Sequence, residues 1–270
     1  MLILFAACNS KTASVTSGSV SQTAPYIWDG PNFPKNVKIS TAFTDPGETA
    51  KITEMATAWD SAMNNQVQFF NFIIGTESEK TNSISGPNQL RDNVFGIYKA
   101  ANWPYPEYPD ALAITQIFAI RYNSGSSNEY VAIQEADIIM NDENFDFDTG
   151  GFDYDFRTVL LHEMGHFLGL QHKPRDYNRN NTVMYPSIYS YETKRIPQTI
   201  DKQDLSEKYN IVLPLTAGGS AITSDPVSYT KKPGDAGEVV KVILELRANG
   251  DCIHRMDGVE TERHHIRGLK

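Results

Sequence analysis

The sequence predicts an α+β fold, a twisted mixed sheet packed on helices, from three observations. Val37, Ile39, Thr41 and Phe43 alternate with more polar neighbours, which is the period of a half-buried strand. Ile52, Met55, Ala56, Trp59, Ala62 and Met63 recur at spacings of three and four, the single apolar stripe of a helix that faces a core. After several more strand-like stretches, the apolar run from Phe156 to Leu170 reads as a second helix.

The elements follow in order. Asp45 is suited to cap the first helix, Pro46 to its first turn, and Glu48 stands three residues after the cap in capping-box position. Strand-like runs come next at about 67–74, 93–99, 112–122 and 130–140, separated by turns rich in Gly, Asn, Ser and Pro. The acidic, aromatic segment 141–155 leads into the second helix, which Gly169 ends. A polar loop, the segment from Thr182 to Tyr191 and a short helix near 199–209 complete the main domain, placed at 26–212. Beyond it, residues 213–270 hold one good strand candidate, Val239 to Leu246, among Gly, Pro, Ser and charged residues. They are expected to form an appendage of unknown function, β-rich or disordered.

Lysine and arginine number 24 against 33 aspartates and glutamates, so 24 − 33 gives −9 and disfavours a phosphate-binding surface. The only cysteines, Cys8 and Cys252, lie at opposite ends, which excludes a disulfide framework or a four-cysteine zinc site within one chain. Met1 to Ala7 are all apolar but too few to span a bilayer. Phe5-Ala6-Ala7-Cys8 resembles the bacterial lipobox, whose cysteine is lipidated. Residues 1–25 are therefore expected to be an export segment and flexible tether, attaching the protein to a membrane through Cys8 or leaving it secreted.

The chemistry is concentrated in residues 162–172, which read H-E-M-G-H-F-L-G-L-Q-H. On a helix His162 and His166 lie one turn apart on the same face, about 6 Å along the axis, so both imidazoles can reach one metal. Were the helix to continue, His172 would stand about 15 Å from His162, far beyond zinc–nitrogen bonds of about 2.1 Å. The chain must turn first, and Gly169 can take the positive φ that such a turn needs. The pattern points to three histidine ligands with a fourth position open to water, and to Glu163 as the base that deprotonates it. The reaction class is hydrolysis of an amide. His254, His264 and His265 fit no standard ligand spacing, with or without Cys252, and read as part of a solvated tail.

These residues resemble the metzincin zinc peptidases, and Thr182-Val183-Met184-Tyr185-Pro186 is similar to the Met-turn of that family, closest in wording to the matrixin branch. The resemblance implies one catalytic Zn2+, a protein or peptide substrate, a monomer and a small C-terminal subdomain carrying the Met-turn. It makes Met184 the hydrophobic floor of the metal site and assigns Tyr185 and Pro186 to the wall of a substrate pocket. Ile188 stands where a pocket-wall tyrosine is expected, and Tyr189, which follows at once, is given that role. Lys173 replaces the serine typical of matrixins after the third ligand, and Met184 follows His172 by twelve positions, a longer interval than usual. The substrate is expected to lie extended along an edge strand in the region 112–122. Asp142, Glu143, Asp146, Asp148, Asp153 and Asp155 form either a Ca2+ site or a solvated acidic loop. Two other functions stay open: a non-catalytic zinc-binding or adhesion module, and an amidase acting on a cell-wall amide.

Overall fold

The computed structural model describes residues 24–30, 32–77, 91–148, 153–173, 178–213, 228–248 and 252–264. Cys8 and His265 lie outside them. In chain order the strands and helices are β1 (Tyr26–Trp28), β2 (Lys35–Ser40), α1 (Pro46–Ala62), β3 (Phe70–Glu77), β4 (Phe95–Ala100), β5 (Ala111–Tyr122), β6 (Tyr130–Asn141), α2 (Phe156–Phe167), α3 (Thr199–Tyr209), β7 (Glu238–Arg247), β8 (Cys252–Met256) and β9 (Val259–His264). Among the described residues no helix is long and apolar enough to cross a membrane.

The strands form one mixed sheet in the order β3-β2-β4-β6-β5-β7-β8-β9, with β1 parallel to β6 beside this path. Pairing is parallel from β3 through β2 and β4 to β6, and antiparallel from β6 onward. Two expectations change here. β5 is not an edge, because β7 pairs along it from Ala111↔Arg247 to Arg121↔Glu238. Residues beyond 212 also contribute three strands to the same sheet as the main domain, and Cys252 and His254 are fully buried rather than in a solvated tail.

Helix α1 starts as its sequence requires, with the Asp45 side chain accepting from the Gly47 amide at 2.8 Å and Pro46 in the first turn. Glu48 does not complete the expected capping box; it pairs with Lys99 of β4 at 2.8 Å, where a cation offers a stronger partner than a backbone N–H. The predicted stripe Ile52, Met55, Ala56, Trp59 and Ala62 is buried. Each large side chain of that kind contributes about 1.5–3 kcal/mol by leaving water.

Helix α2 lies between α1 and the β5–β6 part of the sheet, and every residue from Thr158 to Phe167 is buried. Indole and phenol donors fix it from three sides. Trp59 Nε1 donates to the Leu161 carbonyl at 3.2 Å, Trp28 Nε1 to Phe167 at 2.8 Å, and the Tyr209 hydroxyl to Leu168 at 2.8 Å. The last two satisfy carbonyls that the end of a helix leaves without intrahelical partners.

Candidate metal centre

The N-terminus of α2 is capped by Asp155, whose carboxylate accepts from the Thr158 amide at 2.9 Å and from the Thr158 hydroxyl at 2.6 Å. Burial alone would push the Asp155 carboxyl up, but Arg195 and Thr158 hold it below the usual carboxylate range. Two turns on, His162 and His166 project from one face. The helix then stops: Gly169 takes φ +82°, and a Cβ there would come within 2.5 Å of the Tyr26 carbonyl oxygen. The position therefore needs glycine for its backbone and for its close neighbour.

The turn brings His172 back to the helix. Its Nε2 lies 3.1 Å from His162 Nε2 and 3.0 Å from His166 Nε2. A fourth group, missed in the sequence, joins them: Cys252 Sγ stands 3.1 Å from the same nitrogen. One ligand atom from each of His162, His166, His172 and Cys252 lies within 4.8 Å of the others, and all four residues are buried.

The donor set suits a zinc ion. Two nitrogens on a tetrahedral zinc stand about 3.4 Å apart, so the observed separations need to open by only a few tenths of an ångström. Each outward nitrogen is also held. His162 Nδ1 lies 2.8 Å from the Val183 carbonyl and His166 Nδ1 lies 2.9 Å from that of Leu170. A carbonyl only accepts, so each Nδ1 carries the proton and each Nε2 lone pair faces inward, the tautomer a metal requires. Burial supports this by pushing His162 down to about 4, which keeps the ring neutral. His172 Nδ1 meets His254 Nε2 at 2.7 Å, and the Glu262 carboxylate stands 3.2 Å from His254 Nδ1. His254 thus performs for the third ligand what backbone carbonyls do for the other two.

Glu163 lies beside the cluster and is completely buried. Its Oε2 accepts from the Thr115 hydroxyl of β5, while Oε1 has no hydrogen-bond partner among the described residues. Burial pushes this carboxyl up to about 8, against the effect of Thr115. A buried carboxylate oxygen left without a donor fits a site completed by a water or a cation.

Met184 packs beneath the helix, where a Cβ on Gly165 would come within 2.3 Å of its Sδ. Its segment is fastened by Asp201 of α3. That carboxylate accepts from the Thr182 hydroxyl, the Val183 amide at 2.8 Å and the Gln198 amide at 2.7 Å, while the Met184 amide donates to Thr182 Oγ1 at 2.9 Å. Pro186 is buried, and the rings of Tyr185 and Tyr189 lie 5.0 Å and 4.0 Å from the guanidinium carbon of Arg179. Three carboxylates of the acidic segment have partners away from the histidines. Asp148 pairs with Lys51 at 2.6 Å, Asp142 faces Lys99 at 3.6 Å, and Glu143 accepts from the Trp103 amide.

With this geometry, similarity to known proteins becomes specific. The matrixin family model matches residues 124–210. This matrixin-like stretch contains β6, α2, the three histidines, Met184 and α3. It ends before Cys252 and His254, so neither residue falls within the match. No curated protein matches the chain.

Proposed function

We propose that the chain is a zinc-dependent endopeptidase of metzincin type, with His162, His166 and His172 holding the metal and Glu163 as general base. The observation that carries this reading is the convergence of three Nε2 atoms beside a buried carboxylate with one oxygen unpartnered. The matrixin match over the same residues supports it.

Bound zinc would supply Lewis acidity, lowering the pKa of water and stabilising charge on the scissile carbonyl oxygen. The other roles belong to the chain. Thr115 fixes Oε2 of Glu163, leaving Oε1 to take the water's proton and pass it to the leaving amine. His254 and the carbonyls of Val183 and Leu170 keep each imidazole oriented. Met184 serves as the floor of a Met-turn, with Tyr185, Pro186 and Tyr189 as pocket wall. Cys8 is proposed as a lipid anchor on the strength of the Phe5–Cys8 sequence; Cys8→Ser should then release the protein from the membrane fraction, and unchanged association would dismiss that role.

One observation favours a second reading. A His3Cys set is closed, as structural zinc sites are, whereas catalytic sites keep a ligand position for water. A non-catalytic metal module would have such a set, yet it would have no use for Glu163. Metal analysis joined to digestion of a diverse peptide library separates the two. The peptidase reading expects about one zinc per chain, reduced by His166→Ala, together with peptide cleavage once the fourth position is open. Zinc without cleavage in a Cys252→Ser, Leu244→Asp chain, freed of both the thiolate and the β7 pairing along β5, supports the module.

A further inference from the structure

Two requirements of the proposed peptidase are met, and thereby blocked, by one segment of the chain itself. Water needs the fourth metal position, and Cys252 Sγ stands there among the histidines. The extended substrate expected along β5 would need that strand's free edge, and β7 lies along it. The register sets Leu244 of β7 opposite Thr115, the residue whose hydroxyl holds Glu163, so β7 runs directly beside the site. β8 then follows on the far side of β7, and its alternation points Cys252 and His254 the same way, one to each nitrogen of His172.

The segment is built to act as a unit. Val240, Val242, Leu244 and Leu246 are buried in the main core, anchoring β7. The buried carboxylate of Glu245 pairs with Arg247 and Arg255, and His254 faces Glu262, so these charges have partners inside the segment. The β8–β9 hairpin closes at Asp257-Gly258, both at positive φ as a tight two-residue turn demands.

We propose that β7–β8–β9 is a built-in inhibitor in which β7 takes the substrate's place on β5 while Cys252 closes the metal centre as its fourth ligand. The inference rests on the zinc peptidase reading. Release would exchange the Cys252 thiolate for a water molecule at the metal, the thiolate leaving as the thiol with a proton taken from that water. Substrate and segment compete for the same strand edge and the same coordination site.

The test uses the full chain with Cys8→Ser, so that Cys252 is its sole thiol, loaded with Co(II) in place of zinc. The parent should show a thiolate-to-cobalt charge-transfer band. Cys252→Ser should lose that band and keep the ligand-field bands of cobalt bound to the histidines. Cys252 should resist a thiol reagent in the zinc-loaded parent and react once the metal is chelated. Cleavage of a peptide library should rise about tenfold or more in Cys252→Ser combined with Leu244→Asp, which releases metal and edge together. If that variant does not fold, the parent's spectrum still decides whether sulfur is bound. Bound cobalt without a sulfur band overturns the inhibitor and leaves the peptidase reading standing. A parent that cleaves as fast as the double variant overturns it too. Failure of parent and variants alike to bind cobalt overturns the metal centre itself.

Discussion

At the scale of single residues, the site depends on which atoms are held and which are left unpartnered. Asp155 illustrates the first. It caps α2, and Asp155→Ala is expected to cost about 1–2 kcal/mol in chemical denaturation. Its folded carboxyl lies below the ordinary value, so its stabilisation is complete above the unfolded carboxylate pKa of about 4 and is lost as pH falls through the depressed folded value. Stability of the parent should therefore decline more steeply in that acid window than stability of Asp155→Asn; parallel profiles would contradict the assignment. The three histidines and Glu163 were legible in the sequence because a helix of fixed pitch turns spacing into geometry. The orienting role of His254 was not, since His172 and His254 are 82 positions apart and no local rule links them.

At the scale of elements, the turn after α2 and the clasp from α3 place the site. Gly169→Ala puts a methyl against the Tyr26 carbonyl at positive φ, and should cost more than about 1 kcal/mol while weakening zinc binding through displacement of His172. Isothermal titration with zinc would check this, and unchanged affinity would mean that another conformation positions the third ligand. Asp201→Ala leaves the buried amide of Val183 and the half-buried amide of Gln198 without their acceptor, an expected loss of about 1–3 kcal/mol for the buried donor alone. Its zinc affinity should fall as well, because the Val183 carbonyl orients His162. Most helices and strands of the main domain follow from periodicity. β8 and β9 escaped it because CIHRM and VETERH are short and lack a clear apolar alternation; the burial of Cys252, Ile253 and His254 rests on neighbours far away in sequence, and β9 is largely exposed. Asp257-Gly258 was the local signal, a dipeptide suited to a tight hairpin turn.

For the whole molecule, the decisive fact is that the sheet does not end at β5. A reading based on composition separates residues 213–270 from the main domain, whereas β7 pairs along nearly all of β5 and β8 delivers Cys252 to the histidines. Pairing between strands more than a hundred residues apart is a tertiary property, and the one strand-like run, Val239 to Leu246, does not say where it docks. The proposed hydrolytic centre is thus assembled by the helix and its turn and covered by β7 and β8. In the proposed peptidase, Glu163 drives hydrolysis at a metal held by His162, His166 and His172. The most direct measurement compares peptide-library turnover by the zinc-loaded Cys252→Ser, Leu244→Asp chain with that of the same chain carrying Glu163→Ala. Equal zinc content and a fall in kcat of about 10²–10⁴-fold are expected; equal turnover by the two chains would refute the role of Glu163.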